Sequence, residues 1–308
     1  MVALPLLLRP IATPNWRHSF DEPWMDATSV YGYAGPICSH SCMPRTVVQN
    51  FQTALYKELV RRRVIAVFSR LHPLIPQVEV LSGLGTIRAL GQTVSISLRE
   101  PSEAQRAQYR ENHKRGIARL KQIGVECSED QKKRFVGEFA KLYTATMVRV
   151  GAEDSYFFDE SYFRTLLERL GSECHLFLAW LHGEAVAGGI FVRCGDILQY
   201  HLGASRDDCL KLAPMKLVFD SVREWGSARA LALLHLGGGV GSNEDSLFQF
   251  KAGFSKNRHD FSCWQWIVNR AVYDHFCETI RPGCSGYQLK PAVSEFFPAY
   301  RRPPIFLD

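Results

Sequence analysis

The chain has 308 residues, of which 46% are hydrophobic and 22% are charged, and its formal net charge is +6. These values are ordinary for a folded protein and exclude an intrinsically disordered chain. The length allows two domains of ordinary size or one large domain. The positive charge is compatible with tRNA, coenzyme A, a nucleotide-sugar or a membrane surface as partner, and it selects none of them.

Nine cysteines occur at irregular spacing, which favours reduced thiols in the cytosol over a disulfide framework. Cys38 and Cys42 resemble half of a zinc site, but no second ligand pair follows at matching spacing, so no metal is expected. The apolar run near the N-terminus contains Pro5 and lacks preceding basic residues, unlike a signal peptide. No stretch reaches the ~20 apolar residues of a transmembrane helix. The sequence therefore predicts a soluble, cytoplasmic protein.

The first hundred residues are predicted to fold as strand, helix, strand and strand. The first strand covers residues 30–34 and leads into Gly35 and Pro36. A helix over 45–62 follows, because apolar residues recur on one face at helical spacing: Val48, Phe51, Leu55 and Leu59. The apolar, β-branched run 64–68 is typical of a buried strand, and residues 93–98 alternate as another strand.

A long basic helix is predicted from Ser102 to about Gln122, opened by a capping box of Ser102 and Gln105. Only Glu111 opposes its six basic residues over 106–121, which are Arg106, Arg110, Lys114, Arg115, Arg119 and Lys121. Such a face is either a solvated surface or a phosphate-contacting surface, and the second interpretation would provide a site for tRNA.

From Val125 onward, the order of the predicted elements is clearer. After a brief strand, helices are predicted over 130–149 and 159–170, followed by strands over 174–181, 185–192 and 197–202 with tight turns between them. The remaining predicted elements are a helix over 214–226, a strand over 231–236, a short helix containing Lys251, a strand over 261–268 and a helix over 270–280.

This order of elements is the one used by GNAT-type acyltransferases, and the first hundred residues repeat part of it in topology. The predicted fold class is α+β, with two GNAT-like lobes that are each a mixed sheet flanked by helices. The first lobe, residues 1–101, is shortened, and the second, residues 102–282, is complete. A tail over 283–308 is predicted to pack back on the body.

The segment LHLGGGVGSNEDSLFQFKAGFS, residues 234–255, carries the clearest chemical signal. An apolar strand ends in three successive glycines, Gly237, Gly238 and Gly239, which allow positive φ and close approach of a substrate. A polar loop then supplies a helix N-cap from Asn243, Glu244 or Asp245. The helix places Phe250 beside Lys251, whose cation would meet an acyl oxygen or a phosphate. The alternative is a solvated lysine on an ordinary strand–turn–helix.

Six segments in the same order resemble the Fem-type (FemAB-like) peptidyltransferases and the related BioF2-like acetyltransferase domain of the GNAT superfamily. They are DATSVYGYAGP, FSRLHPL, YRENHKRGIARLKQIGVE, LYTATMVRVGAEDSYFFDESYF, YHLGAS and HLGGGVGSNEDSLFQFKAGFS, spanning residues 26–255. The resemblance, which extends to about residue 275, implies acyl transfer. Fem proteins move an amino acid from aminoacyl-tRNA to an amine of a peptidoglycan precursor. BioF2-like relatives are regarded as acyl-CoA-dependent N-acyltransferases linked to surface polysaccharides.

The resemblance implies roles for particular residues. Lys251 is the expected partner of the tetrahedral oxyanion and Phe250 its apolar wall, because this pair matches the Phe-Lys pair of Fem enzymes. His235 and His201 are candidate bases. Proton loss assisted by the substrate, with no protein base, fits the resemblance better. Tyr200, His201 and the three glycines complete the predicted substrate contacts of this part of the chain.

Other predicted substrate contacts lie earlier in the sequence. Tyr31 and Tyr33 face the same way if their segment is extended and would line an acceptor pocket. Arg70 and His72 also share a face, and Arg149 offers a bidentate fork to a phosphate or carboxylate. The alternative to substrate contact is core packing for the two tyrosines and a solvated surface charge for the basic residues. The first lobe is expected to lack its opening strand and helices, which leaves the completeness of the acceptor site open.

The donor is the least determined element of the prediction. Coenzyme A-dependent GNAT enzymes hold the pyrophosphate in a glycine-rich loop, whereas this chain has Asp207 and Asp208 there, which would repel it. Three interpretations remain. The first is an N-acyltransferase that uses acyl-CoA to modify an amine of a cell-envelope saccharide or peptidoglycan-type precursor. The second is an aminoacyl-tRNA-dependent enzyme, and the third a non-catalytic GNAT-like binding module. The sequence does not indicate the oligomeric state.

Overall fold

The computed structural model describes residues 1–11, 23–40, 42–280 and 296–302. The chain forms two compact units, Met1–Gly91 together with Asp260–Asp308, and Gln92–His259. The predicted lobes divide the chain after residue 101 instead. Compactness does not test whether a fold is repeated, so the two-lobe organisation stays a prediction. Within the described ranges, none of the helices is long and apolar enough to cross a membrane.

The described residues form an α+β structure, which confirms the predicted class. The strands are β1 (Val2–Ala3), β2 (Leu7–Pro10), β3 (Met25–Thr28), β4 (Ile37–Cys38), β5 (Val64–Arg70), β6 (Thr86–Ser97), β7 (Glu126–Glu129), β8 (Cys174–Leu181), β9 (Glu184–Cys194), β10 (Ile197–Ser205), β11 (Leu233–Gly237) and β12 (Asn257–Ile267). The helices are α1 (Arg45–Arg61), α2 (Val78–Leu81), α3 (Ser102–Ala107), α4 (Glu111–Gln122), α5 (Val136–Arg149), α6 (Glu160–Leu170), α7 (Met215–Ala228), α8 (Ser246–Ala252) and α9 (Arg270–Ile280).

In the first unit, β3 lies between β2 and β5, antiparallel to β2 and parallel to β5. Residues 263–267 of β12 pair with the other side of β5 in antiparallel register. One apolar cluster combines side chains from β3, α1, β5 and β12 and includes Ala27, Leu59, Val67 and Trp264. The sheet therefore has a buried face that α1 covers.

The predicted strand over residues 30–34 is wrong. The strand is β3, four residues long and ending at Thr28, and residues 31–33 form a bend. Gly32 has φ +98°, which breaks the extended conformation at the middle of the predicted strand. β3 is held by strand neighbours on both sides, and its buried carboxylate at Asp26 accepts hydrogen bonds from Arg9 and Arg301 at 2.8 and 2.5 Å. These partners are distant in sequence.

The described part of the tail, residues 296–302, contacts the first unit at α9. The Ala299 amide donates to the Tyr273 hydroxyl at 3.0 Å, and the rings of Tyr273 and Tyr300 meet edge to face at 5.4 Å. The remaining residues of the predicted tail lie outside the described ranges, so the packing of the whole tail stays a prediction.

In the second unit, residues 92–97 of β6 begin a sheet with the strand order β6, β11, β10, β9, β8, β7. β11 is parallel to β10, and the other neighbouring strands are antiparallel. Helices α5 and α6 cover one face, where Phe139 and Phe163 join a large apolar cluster. Helices α4, α7 and α8 cover the other face through residues such as Ile117, Phe219 and Phe248. The second unit is thus a mixed sheet flanked by helices.

The predicted long basic helix is in fact two helices, α3 and α4, separated by residues 108–110. The break places Tyr109 in the core, where it is 3% exposed. Its hydroxyl donates to the buried carboxylate of Asp220 at 3.2 Å and accepts from Arg223 Nε at 3.0 Å. The predicted capping box is also wrong, because α3 has no side-chain cap and Gln105 donates to the carbonyls of Leu98 and Glu100 instead.

Helix α5 begins six residues later than predicted. The carboxylate of Asp130 accepts hydrogen bonds from the amides of Arg134 and Phe135 at 3.0 and 2.7 Å. Lys133 has φ +54°, in the left-handed region, so the segment cannot continue as a right-handed helix. Residues 130–135 therefore form a turn that holds Phe135 at the N-terminus of α5.

The sheet of the second unit opens between two parallel strands. β10 and β11 pair through Ile197–Leu233, Leu198–Leu234 and Gln199–His235. Beyond this point β10 continues along β9 to Ser205 with an irregularity at Tyr200–Leu202, while β11 stays with β6 until Gly237. The two strands therefore diverge after Gln199 and His235, and their backbone groups face a gap rather than each other.

Candidate active site

Helix α8 presents the predicted Phe-Lys pair at its C-terminal end. Of the three expected capping residues, Asp245 is the N-cap: its Oδ1 accepts from the Phe248 amide at 2.8 Å, and its Oδ2 accepts from the Val240 amide at 3.0 Å. One side chain thus fixes both the glycine-rich loop and the start of α8. This arrangement sets the direction in which the residues of the last turn point.

The amine of Lys251 lies where β10 and β11 diverge. Its Nζ donates to the carbonyl of Gly238, just beyond β11, at 2.6 Å. The same atom lies 5.5 Å from the ring centroid of Tyr200 in β10. Lys251 is 6% exposed. The solvated-lysine interpretation is therefore wrong, because α8 carries this residue on its buried face.

Burial lowers the pKa of Lys251 to about 8, against the opposing effect of the Asp245 carboxylate. Desolvation disfavours the charged form of an amine, which is the physical cause of the shift. A lysine with such a pKa can act near neutral pH either as an ammonium that donates hydrogen bonds or as an amine that accepts a proton.

The glycines before α8 are required by the backbone. Gly237 has φ +78°, a conformation that other residues rarely adopt. A side chain at Gly239 would overlap the Asn243 carbonyl and the Asp245 carboxylate. Gly238 approaches the Gln92 carbonyl so closely that an added Cβ would lie 2.9 Å from it. The glycines thus bring the Gly238 carbonyl to Lys251, and a role in contacting substrate stays a prediction.

Phe250 belongs to a group of aromatic rings beside Lys251. Its ring centroid lies 5.4 Å from His113, 6.0 Å from Phe219 and 5.6 Å from Phe254. The Tyr200 ring extends the group through Phe219, at 4.8 Å. This wall lowers the local dielectric around the Lys251 amine and strengthens any charge interaction made there.

His113 was not identified from the sequence as a site residue. It is 3% exposed, and its Nε2 lies 2.9 Å from the carbonyl oxygen of Phe250. Because a carbonyl only accepts, Nε2 carries the proton. Its Nδ1 lies 2.7 Å from the side-chain oxygen of Asn112. Burial lowers the pKa of His113, chiefly by desolvation. The signal was its helical spacing with Ile117 and Leu120, which places it on the buried face of α4.

His235 is fully buried at the last position of β11 that pairs with β10. Its Nδ1 lies 2.5 Å from Oε1 of Gln199, the residue opposite it on β10. The Nε2 of Gln199 donates to the Tyr200 carbonyl at 2.7 Å, which fixes the amide orientation. His235 Nδ1 therefore carries the proton. His201 lies on β10 close to this pair in sequence, and burial lowers its pKa.

The predicted acceptor residues of the first unit are only partly brought together. Tyr33 meets Phe261 edge to face at 5.0 Å and His72 at 5.9 Å. Tyr31 is 57% exposed, and the bend at Gly32 removes the extended geometry that would place both tyrosines on one face. Arg70 lies with its guanidinium 5.8 Å from the Phe68 ring centroid.

Arg149 is engaged within its own unit. It donates to the Ser205 carbonyl at 3.1 Å and forms an ion pair with Asp207. The neighbouring Asp208 pairs with Arg206 at 2.7 Å. Arg206 also pairs with Glu184 at 2.5 Å, so three carboxylates share two arginines. The expectation that Asp207 and Asp208 repel a pyrophosphate stays a prediction, and these ion pairs occupy both Arg149 and Arg206.

No group of three or more metal-ligating side chains occurs in the part of the chain that the structure describes. A pocket of about 350 Å³ lies in the first unit and is lined by residues including Trp24, Tyr56, Arg63 and Arg270. It contains none of the predicted site residues.

Residues 107–251 match the family model described as an acetyltransferase (GNAT) domain, which includes α4, the divergent strands and Lys251. The structure is similar to that of FemX, at 13% identity over 88% of this chain and 90% of that one, with a TM-score of 0.64. It is also similar to L-PGS from Bacillus licheniformis, at 13% identity, 82% and 80% coverage and a TM-score of 0.55.

A further similar structure is the C-terminal domain of a putative lysylphosphatidylglycerol synthetase from Agrobacterium fabrum, at 12% identity, 81% and 79% coverage and a TM-score of 0.53. At these identities the structures show a shared fold. No curated protein sequence matches the chain. The family model and the folds together confirm the resemblance to the Fem/BioF2-like group.

Proposed function

We propose that this chain, an acyltransferase of the Fem/BioF2-like GNAT group, transfers an acyl or aminoacyl group to an amine beside Lys251. The observation that carries the proposal is the buried Lys251 amine at the divergence of β10 and β11, with the Phe250 ring next to it. A fixed cation in a water-poor gap between strands is suited to a reaction that develops negative charge on a carbonyl oxygen.

The reaction forms a C–N bond between the acceptor amine and the donor carbonyl, through a tetrahedral oxyanion. Collapse of this intermediate breaks the bond to the donor oxygen or sulfur, which leaves with a proton. Lys251, as the ammonium, would donate a hydrogen bond to the oxyanion. A preorganised donor of this kind is worth about 3 kcal/mol in the transition state.

The attacking amine must also lose a proton. His235 is held by Gln199 with the proton on Nδ1, so that Nε2 is the nitrogen that would accept one. Its position at the start of the gap supports this role, whereas its full burial fits the alternative of a hydrogen-bonded core histidine. Proton transfer to the leaving group of the substrate, without a protein base, is the alternative that the Fem resemblance favours.

Acyl-CoA is the donor that we place first, and an amine of a cell-envelope saccharide or peptidoglycan-type precursor is the acceptor. Arg149 and Arg206 offset part of the negative charge of Asp207, Asp208 and Glu184, which weakens the electrostatic objection to coenzyme A. Aminoacyl-tRNA is the second donor. It is supported by Arg115 and Arg119, which are exposed on α4 and would contact phosphates.

The test is an activity screen that identifies the donor and, independently, measures the contribution of Lys251 to catalysis. Purified protein is incubated with acyl-CoAs or charged tRNA and an amine precursor, and product is detected by mass spectrometry. We expect turnover with one donor class, and a loss of about 100-fold in kcat for Lys251→Met. Lys256→Met, which alters an exposed lysine nearby, is the matched control. Donor-dependent turnover that Lys251→Met leaves unchanged refutes the mechanism. Ligand binding with no turnover of any donor would favour the binding-module interpretation.

A further inference from the structure

Two glycines lie side by side on β9 and β10, just beyond the point where β10 leaves β11. Gly189 is paired with Gly203, and the last residue of β10 that pairs with β11 is Gln199. Gly203 is half-buried. Because neither glycine has a side chain, the backbone is bare here on the strand that borders the gap.

Two aromatic rings fill the space that these glycines leave. A side chain at Gly203 would overlap the Tyr200 hydroxyl, and its Cβ would lie 2.9 Å from Tyr200 Cζ. A Cβ at Gly189 would lie 2.9 Å from Phe191 Cε2. The Tyr200 side chain therefore lies along its own strand and covers Gly203. The irregularity of β10 at Tyr200–Leu202 is a feature that re-aims side chains in this way.

Neighbouring rings hold Tyr200 in this position. Its ring centroid lies 5.4 Å from that of Phe191 and 4.8 Å from that of Phe219, which it meets edge to face. Tyr200 is half-buried rather than fully buried, so part of its side chain is open to solvent. The ring is thus a fixed wall of the gap with an accessible surface.

This wall lies close to the amine that we assign to the reaction. Lys251 Nζ is 5.5 Å from the Tyr200 ring centroid. An oxyanion that accepts a hydrogen bond from Nζ lies about 2.9 Å from it, which leaves roughly 2.6 Å in the direction of the ring. Carbon atoms touch at about 3.5–4.0 Å. No part of an acyl group fits along this line, so the acyl substituent must lie beside the ring.

We propose that Tyr200 determines acyl specificity, because its ring restricts transfer to small acyl groups, no larger than propionyl or alanyl. A methyl or ethyl substituent stays next to the carbonyl, whereas each further methylene is brought against a ring that Gly203 and Phe219 hold in place. The proposal rests on the acyl-transfer function proposed above, since it takes Lys251 as the group that meets the carbonyl. It adds the size of the acyl group to that function, for either donor.

The test compares donors that differ only in their acyl group. Initial rates are measured with acetyl-, propionyl-, butyryl- and hexanoyl-CoA or, if charged tRNA is the donor, with one tRNA carrying glycine, alanine or leucine. The wild type should lose roughly tenfold in kcat/KM for each methylene beyond propionyl, which is the effect of one methylene in a hydrophobic pocket. Tyr200→Ala should reduce the kcat/KM ratio between the smallest and the largest donor by about 100-fold.

Three further variants separate acyl size from folding. Tyr200→Val shortens the side chain but keeps an apolar residue suited to a strand, and it should relax the preference as Tyr200→Ala does. Tyr200→Phe keeps the ring and should retain the wild-type preference, whatever its kcat. Tyr162→Ala removes a half-buried ring on the other face of the sheet and should also leave the preference unchanged.

Wild-type turnover that does not depend on acyl length would overturn the proposal and leave the acyl-transfer function intact. Folded Tyr200→Ala and Tyr200→Val proteins that keep the wild-type preference would have the same meaning. An equal loss of rate for all donors in Tyr200→Ala would also overturn it, since the ring would then only support Lys251. Absence of turnover with every donor would overturn the acyl-transfer function itself, and the size limit with it.

Discussion

Replacing Lys251 by methionine should change how the stability of the protein depends on pH. The folded state holds the pKa of Lys251 at about 8, below the ordinary value of 10.5. Between these values the unfolded chain binds more protons than the folded one, so the wild-type free energy of unfolding rises with pH. The methionine side chain does not titrate and therefore makes no such contribution. From pH 7 to 9.5, the wild type should therefore gain about 2 kcal/mol relative to Lys251→Met.

The assay is urea unfolding of both proteins at several pH values in this range. Titrations of other groups are shared by the two proteins and cancel in the difference between their unfolding free energies. Lys256→Met, at an exposed position, should show a constant difference from wild type. A difference between wild type and Lys251→Met that stays flat from pH 7 to 9.5 would refute the reasoning, since the amine would then not be desolvated.

Three other substitutions test contacts around the site and its support. His113→Ala removes the hydrogen bond to Phe250 and should lower the free energy of unfolding in urea by about 2 kcal/mol. It should also reduce kcat by a larger factor than it raises KM. Unchanged stability and kcat would contradict the positioning of α8 by His113. Gly239→Ala should destabilise by about 1–3 kcal/mol in the same measurement, because the new methyl overlaps Asn243 and Asp245, and a neutral effect would argue against the turn geometry. Arg223→Met leaves Asp220 buried without its main partner and should lower the free energy of unfolding by about 3–5 kcal/mol. The neighbouring Glu224→Gln should change it little. Equal effects of the two substitutions would show that the buried Arg223–Asp220 pair contributes no more to stability than the exposed Glu224 contact.

Elements whose core contacts follow a regular period were predictable from the sequence. The bounds of α1 and β8 agree within a residue with the prediction, because the apolar residues of α1 recur at helical spacing and β8 is a short apolar run between turns. The errors occur where distant partners decide the backbone. Tyr109 breaks the predicted long helix because Asp220 and Arg223 bind its hydroxyl from α7. No local pattern reports a partner more than a hundred residues away.

The site was predictable to a smaller extent. The resemblance identified Lys251 and Phe250, but the burial of Lys251 and its contact with Gly238 required the fold. Gln199 reads in the sequence as an ordinary strand residue. It becomes part of the site only because the register of β10 and β11 places it opposite His235. The roles of these residues in catalysis stay predictions.

The contact between Lys251 and Gly238 also has a consequence for the entropy of the reaction. A free lysine side chain samples many rotamers, and fixing it costs up to about 2 kcal/mol. Here the hydrogen bond to the Gly238 carbonyl and burial beside the Tyr200 ring have already selected one arrangement during folding. Substrate that enters the gap between β10 and β11 would meet a cation that is already ordered, so binding energy is not needed to order it.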